Sequence, residues 1–160
     1  MINEQHILLV EDDESLQELI LKLLKNNKYI VSRAYNIKEA QKLIKLYIFD
    51  LIILDVMLPD STGLDFYRDC IKDRISTPVI FLSALSDVDD RVIGLELGAD
   101  DYVGKPFDSR ELILKIKKNI LKKQSLDIIN LGPTTIFDLK REQLLFKNKK
   151  ISLSSNELKI

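Results

Sequence analysis

The stretch Leu51–Phe66, LIILDVMLPDSTGLDF, opens on four consecutive Leu and Ile residues, ends that run at the acid Asp55, and reaches Gly63 through a short polar turn. An apolar run without alternation describes a strand covered on both faces. Gly63, with Leu64, Tyr67, Cys70 and Ile71 behind it, describes a helix with one buried stripe. The same unit recurs in both directions along the chain. His6–Val10, Tyr29–Val31 and Val79–Leu82 are further apolar runs, and Tyr102–Val103 is a shorter fifth. Between them Leu16, Leu19, Ile20, Leu23 and Leu24 keep helical spacing, as do Ala40, Leu43, Ile44 and Tyr47. A fourth helix is expected from about Val88 to Leu97 with Gly98 as its C-terminal cap. A fifth is expected from Asp108 to Lys123, burying Leu112, Ile113, Ile116 and Ile120. Strands and helices in this alternation predict an α/β fold with a five-stranded, parallel, doubly wound sheet over residues 1–123.

Composition narrows the function classes. Of 160 residues, 46% are hydrophobic and 31% charged, with five glycines and four prolines, which describes a globular chain rather than a disordered one. A single cysteine, Cys70, excludes an intramolecular disulfide, and a single histidine, His6, excludes a Cys/His zinc set. The opening MINEQHILLVEDDE has too short an apolar run for a signal peptide or a membrane span, so a cytoplasmic location and no membrane partner are expected. The net charge of −1 hides a split. Residues 1–123 carry 18 basic against 21 acidic residues, and residues 124–160 carry six against four. The acidic part does not advertise nucleic-acid binding.

Beyond Lys122 the helical period is lost, and residues 124–130 read as a linker before the Gly132-Pro133 break. Over 131–160, Thr134–Leu139, Gln143–Phe146 and Ile151–Leu153 read as strands, the last two joined by a turn at Lys147–Lys150. Ser154-x-x-Glu157 reads as a capping box at a helix start. This partial antiparallel β segment is too small to bury a core of its own.

In a parallel sheet covered on both faces, ligands bind at the carboxyl ends of the strands. The first strand ends in Glu11-Asp12-Asp13, the third in Asp55, the fourth in Ser83-Ala84, and the fifth is followed by Lys105-Pro106. Carboxylates crowded into one crevice repel each other unless a cation sits among them, and a hard divalent ion with oxygen ligands, Mg2+ first, fits that need. Any one of these residues alone reads as a cap or a solvated side chain, and Asp13 is expected to cap the first helix. The set, in order at successive strand ends, points to phosphoryl chemistry.

With LLVEDDE, LIILDVMLPDSTGLDF, PVIFLSAL and GADDYVGKPF, residues 5–123 resemble the receiver domain of bacterial two-component response regulators, a flavodoxin-like fold. The resemblance implies that Glu11, Asp12 and Asp55, with the Met57 backbone carbonyl, hold Mg2+, with Asp13 nearby. It implies that Asp55 accepts a phosphoryl group from a sensor histidine kinase, that Ser83 and Lys105 take phosphoryl oxygens, and that Pro106 forms a cis peptide aiming Lys105. Tyr102, Ser83 and Pro106 become the switch residues. Such a protein is a phospho-acceptor switch rather than a turnover enzyme. Residues 131–160, LGPTTIFDLKREQLLFKNKKISLSSNELKI, resemble the start of the winged-helix effector domain of the OmpR/PhoB class. That implies transcription control through phosphorylation-dependent dimerisation, with DNA bound only through a complete effector domain. The dimer face implied comprises Arg91, Glu96, Asp100, Asp101, Glu111, Lys115 and Lys122, pairing Arg91 with Glu111, Asp101 with Lys115 and Asp100 with Lys122 across a two-fold axis. Lys at two basic positions usual for Arg gives weaker pairs. A stand-alone receiver acting as a phosphate sink is the alternative reading. The chain lacks the phosphate loop that an FMN carrier needs after the first strand and, reading Glu11-Asp12-Asp13 there, the Asp-x-Asp motif of a haloacid-dehalogenase-like phosphatase.

Overall fold

The computed structural model describes residues 4–84, 89, 92, 95, 96, 98–126, 128–132, 135–138, 143–146 and 149–151, with those from 126 onward described by backbone alone. The chain divides into two compact units, Met1–Ile120 and Leu121–Ile160. Among the described residues no helix is long and apolar enough to cross a membrane.

The first unit carries β1 (His6–Val10), α1 (Glu14–Asn26), β2 (Ile30–Ala34), α2 (Ile37–Leu46), β3 (Leu51–Asp55), α3 (Gly63–Phe66), β4 (Val79–Ala84) and β5 (Asp101–Lys105). It is followed by α4 (Ser109–Leu126). The strands pair in parallel in the order β2-β1-β3-β4-β5, so the expected fold is the observed one. Period-two alternation splits the core cleanly. Leu8, Val10, Ile52, Leu54, Val79 and Phe81 face one core with Ile37, Ala40, Leu64 and Ile71. Ile7, Leu9, Leu51, Ile53, Ile80 and Leu82 face the other with Ile20, Leu24, Leu112, Ile116 and Ile120.

Several details differ from the sequence reading. In α1 the buried stripe is Gln17, Ile20, Leu21 and Leu24, while Leu19 is 57% exposed. Strand β2 runs on to Ala34 because it is an edge, whose outer positions tolerate Ser32 and Arg33. Helix α2 stops at Leu46, leaving Tyr47 exposed. The third helix has one α-turn and then a π-turn at Tyr67–Ile71, which leaves Cys70 only half-buried. Of the expected fourth helix, Asp89, Val92, Leu95 and Glu96 are described and are helical, and the rest lies outside the described residues.

The second unit holds a four-stranded antiparallel sheet, β6 (Ile128–Gly132), β7 (Thr135–Asp138), β8 (Gln143–Phe146) and β9 (Lys149–Ile151), paired in that order. The linker reading of 124–130 is therefore corrected: α4 extends to Leu126 and β6 starts at Ile128. Loss of helical period there marked a strand, as the β-branched pair Ile128-Ile129 allows, and not a loop. Lys149 and Lys150, read as turn, pair with Phe146 and Leu145. Pro133, Thr134, Leu139 and the Ser154–Glu157 capping box lie outside the described residues.

Two backbone positions carry local constraints. Helix α1 ends in a Schellman motif, with Tyr29 N–H on Leu24 O at 3.1 Å and Lys28 N–H on Lys25 O at 3.0 Å, and Lys28 occupies the left-handed position at φ 66°. Gly63 packs so closely under β3 that a Cβ there would lie 2.1 Å from the Asp55 carbonyl oxygen. Lys28→Gly should raise stability by about 0.5–1 kcal/mol by relieving the left-handed lysine. Gly63→Ala should lower it by about 1–3 kcal/mol, because the neighbour that must yield is backbone. Urea denaturation of both variants checks these signs.

Candidate functional site

The register of the sheet decides which strand ends meet. Val10 lies beside Leu54, Asp55 beside Leu82, Ser83 beside Gly104, and Ala84 beside Lys105. Glu11 and Asp55 are buried, Asp12 is exposed, and one oxygen from each of the three lies within 4.8 Å of the others. Lys105 Nζ donates to Glu11 Oε2 at 2.8 Å and to Asp55 Oδ2 at 2.9 Å. The second oxygen of each acid accepts a backbone N–H two residues on, Asp13 to Glu11 Oε1 and Met57 to Asp55 Oδ1, both at 3.1 Å. The Lys105–Pro106 peptide is cis.

Burial pushes the Glu11 carboxyl up to about 7, the hydrogen bond from Lys105 opposing and the Asp55 charge adding to the rise. Burial opposes the charge on Lys105, but its hydrogen bonds to Glu11 and Asp55 outweigh that and raise its pKa. The Ser83 hydroxyl is buried with no hydrogen-bond partner among the described residues. Three convergent carboxylates fit a hard divalent cation, and a serine hydroxyl and an ammonium at the same edge fit a phosphoryl group.

The three consecutive acids after β1 have three different surroundings. Glu11 is turned onto Lys105, Asp12 stays in solvent beside the cluster, and Asp13 accepts the Leu16 N–H at 2.8 Å as the N-cap of α1, as expected. Met57 exposes its side chain, and its backbone pairs with Thr62 in an isolated bridge. Tyr102 is already buried, its ring 6.0 Å from Phe81, which in turn stacks edge-on against Tyr67 at 5.4 Å.

Residue-type reasoning missed two supports. Gln17 is fully buried and its amide donates to the carbonyls of Glu11 at 2.9 Å and Ala34 at 3.2 Å, tying the β1 and β2 ends together. Its signal was a polar residue at i−3 and i−4 to Ile20 and Leu21, on the buried stripe. Gly63 was read only as a helix start, whereas its close approach to Asp55 is visible in the fold alone.

On the proposed dimer face, Arg91 lies outside the described residues, and Glu96 and Lys122 are exposed. Asp100, Asp101 and Glu111 of that face are engaged within the chain. Asp100 accepts the Val79 N–H at 2.9 Å, and Asp101 lies 3.4 Å from Lys115, which also pairs with Glu111 at 3.2 Å and donates to the Tyr102 carbonyl at 2.6 Å. The Asp101–Lys115 pair expected between subunits is thus made inside one chain, since α4 lies alongside β5 and a lysine arm spans the gap.

The family model for the response regulator receiver domain matches residues 7–117. Among curated proteins, ycf27 of Cyanidium caldarium, described as a probable transcriptional regulator, is 39% identical over 166 residues, covering 98% of this chain and 66% of its own length. Response regulator ArlR of Staphylococcus aureus is 39% identical over 130 residues, covering 81% and 59%. The chain thus spans about two thirds or less of the length of these relatives. Among solved structures, the response regulator DrrB of Thermotoga maritima, titled an OmpR/PhoB homologue, is similar with a TM-score of 0.64 and 30% identity, covering 97% of this chain and 69% of that one.

The elevated Glu11 value sets a pH dependence. The folded chain without divalent ions holds a proton on Glu11 that the unfolded chain has released, so this contribution is full below about 4.5 and is lost as pH rises through about 7. Urea titrations in chelator should show the wild type losing on the order of 2–3 kcal/mol between pH 5 and 7.5 relative to Glu11→Gln. Added Mg2+ should restore most of it. Parallel pH curves for the two proteins would contradict this account.

Proposed function

The chain belongs to the response regulator receiver domain family, and from that premise we propose that Asp55 accepts a phosphoryl group from a sensor histidine kinase in a Mg2+-dependent transfer. The observation that carries the proposal is the buried Asp55 carboxylate sharing Lys105 with Glu11, at the same strand ends as a buried Ser83 hydroxyl that has no partner among the described residues. An Asp55 oxygen attacks phosphorus, the P–N bond to the kinase histidine breaks, and the nitrogen leaves with the electron pair and takes a proton. The product is an acyl phosphate. Glu11, Asp12, Asp55 and the Met57 carbonyl would hold Mg2+, which would supply charge neutralisation for the phosphoryl oxygens.

This chain's own residues do the rest. Lys105 exchanges a carboxylate for a phosphoryl oxygen while keeping its charge, and Ser83 gains the acceptor it lacks. The gain pulls on β4, whose neighbour β5 carries Tyr102 and, through Lys115, is tied to α4. The kinase is expected to dock around α1, where exposed Leu19 stands one turn before Leu23. Leu23 helps line a cavity of about 400 Å³ with Ile113 and Leu114.

The output we propose is transcriptional, in the cytoplasm, through dimerisation on the face containing Arg91, Glu96, Asp100, Asp101, Glu111, Lys115 and Lys122 and through DNA binding by a complete effector domain. The similarity to ycf27 and to DrrB supports it. Dimerisation then requires Asp101 and Lys115 to exchange an internal pair for one across the axis, a nearly neutral exchange for partly exposed charges. The protein acts as a switch, with no substrate turned over beyond its own phosphoryl group.

Incubation with Mg2+ and a small-molecule phosphodonor should add one phosphoryl group by mass, labile to hydroxylamine, and Asp55→Asn should add none. Phosphate retained in Asp55→Asn would sink the assignment. Light scattering with beryllium fluoride and Mg2+ should show monomer becoming dimer for the wild type and no change for Asp55→Asn; bound mimic without a change in mass would remove the dimer.

A further inference from the structure

Asp60 stands five residues beyond Asp55, in the loop between β3 and α3. The neck of that loop is closed by backbone alone: Val56 N–H donates to Leu82 O at 2.9 Å, Gly63 N–H to Val56 O at 2.7 Å, and Met57 bridges to Thr62. The tip is held from another element. Asp60 Oδ1 accepts the Ile37 N–H at 3.0 Å and Oδ2 accepts the Lys38 N–H at 3.1 Å, both in the first turn of α2.

Helix α2 is capped without this help. Asn36 accepts the Glu39 N–H at 2.9 Å as the N-cap, and Glu39 reaches back to accept the Tyr35 N–H at 2.8 Å, one residue before the cap, so local residues hold this helix start. The Ile37 and Lys38 N–H groups are first-turn donors with no carbonyl partner inside the helix, the second of them at an exposed position. A carboxylate brought to them from 22 or more residues away gains from the helix dipole, and the part it immobilises is the loop. Burial opposes ionisation of Asp60, but the Ile37 and Lys38 donors and its own backbone N–H outweigh it and hold its carboxyl below the usual range, so the clamp stays charged. The same loop carries Met57, whose N–H orients Asp55 Oδ1.

Resting on the phospho-acceptor reading above, we propose that Asp60 is a positioning residue: by clamping the tip of the loop after Asp55 to the N-terminus of α2, it fixes the Met57 backbone for Mg2+ binding and phosphoryl uptake. It touches neither the ion nor the phosphoryl group. Its action is that of an outer support that orients ligands it does not replace.

The test compares the wild type with Asp60→Ala, Asp60→Asn and Asn36→Ala, the last removing a cap of the same helix that does not come from the loop. Mg2+ affinity is read from amide NMR shifts, and phosphorylation by a small-molecule phosphodonor is timed at low and saturating Mg2+, with urea unfolding to confirm that each variant is folded. Asp60→Ala should weaken Mg2+ binding about tenfold and slow phosphorylation at low Mg2+, with recovery at saturation. Asp60→Asn, with one acceptor oxygen, should fall between. Asn36→Ala should lose stability while keeping wild-type Mg2+ affinity. Wild-type affinity in Asp60→Ala overturns the inference, as does an equal loss in Asn36→Ala, which would make helix stability the cause. Those results leave the phospho-acceptor reading intact, whereas a wild type that binds no Mg2+ and takes no phosphoryl group overturns both.

Discussion

Two carboxylates, Glu11 and Asp55, are buried side by side at the end of a hydrophobic sheet, and a single ammonium from Lys105 lies within 3 Å of both. Taking such charges out of water costs several kcal/mol per ion, and like charges add to the cost. The lysine offsets part of it and backbone N–H groups from Asp13 and Met57 offset more, yet Glu11 still keeps its proton up to about 7. A site balanced in this way is under-neutralised once Glu11 ionises. That residual charge suits the three-carboxylate cluster to a divalent cation.

The sheet turns that local imbalance into geometry. Because β1, β3, β4 and β5 are parallel and in register, Glu11, Asp55, Ser83 and Lys105 arrive at one edge with no chain segment devoted to bringing them together. The apolar residues of the same strands, alternating between two cores, hold those ends rigid. The supports beyond the acids are drawn from neighbouring elements: Gln17 from α1, Gly63 from the start of α3, and the first turn of α2 through Asp60. On the opposite flank, Lys115 ties α4 to β5 through Asp101 and the Tyr102 carbonyl, so Asp101 and Lys115 begin already paired within the chain.

Strands β1, β3 and β4 are legible because they are nearly continuous apolar runs, and the polar residues that follow, Glu11, Asp55 and Ser83, are legible because those runs stop so sharply. Edge strand β2 was read short because its polar residues face outward. Leu19 was placed in the core by its type, whereas the helix turns it to solvent and buries Gln17 in its place; spacing alone cannot choose between two adjacent stripes when both contain leucines. The stretch 124–130 was read as a linker because loss of one period looks alike in a loop and in a strand until a pairing partner is known, and β7 is that partner.

The sequence by itself determined the layered α/β fold and the positions of Glu11, Asp12, Asp55, Ser83 and Lys105 at or just after the carboxyl ends of its strands. Hydrophobic periodicity and strand-end position are one-dimensional properties, set by neighbours along the chain. Only the tertiary structure decided what each of these groups faces: that Lys105 bridges two acids, that Glu11 is pushed towards neutral pH, that Asp101 and Lys115 pair within one chain, and that Asp60 reaches α2. Hydrogen bonds and charge interactions fall off within a few ångströms, so they depend on distances between residues far apart in sequence, and those distances exist only once the sheet has formed.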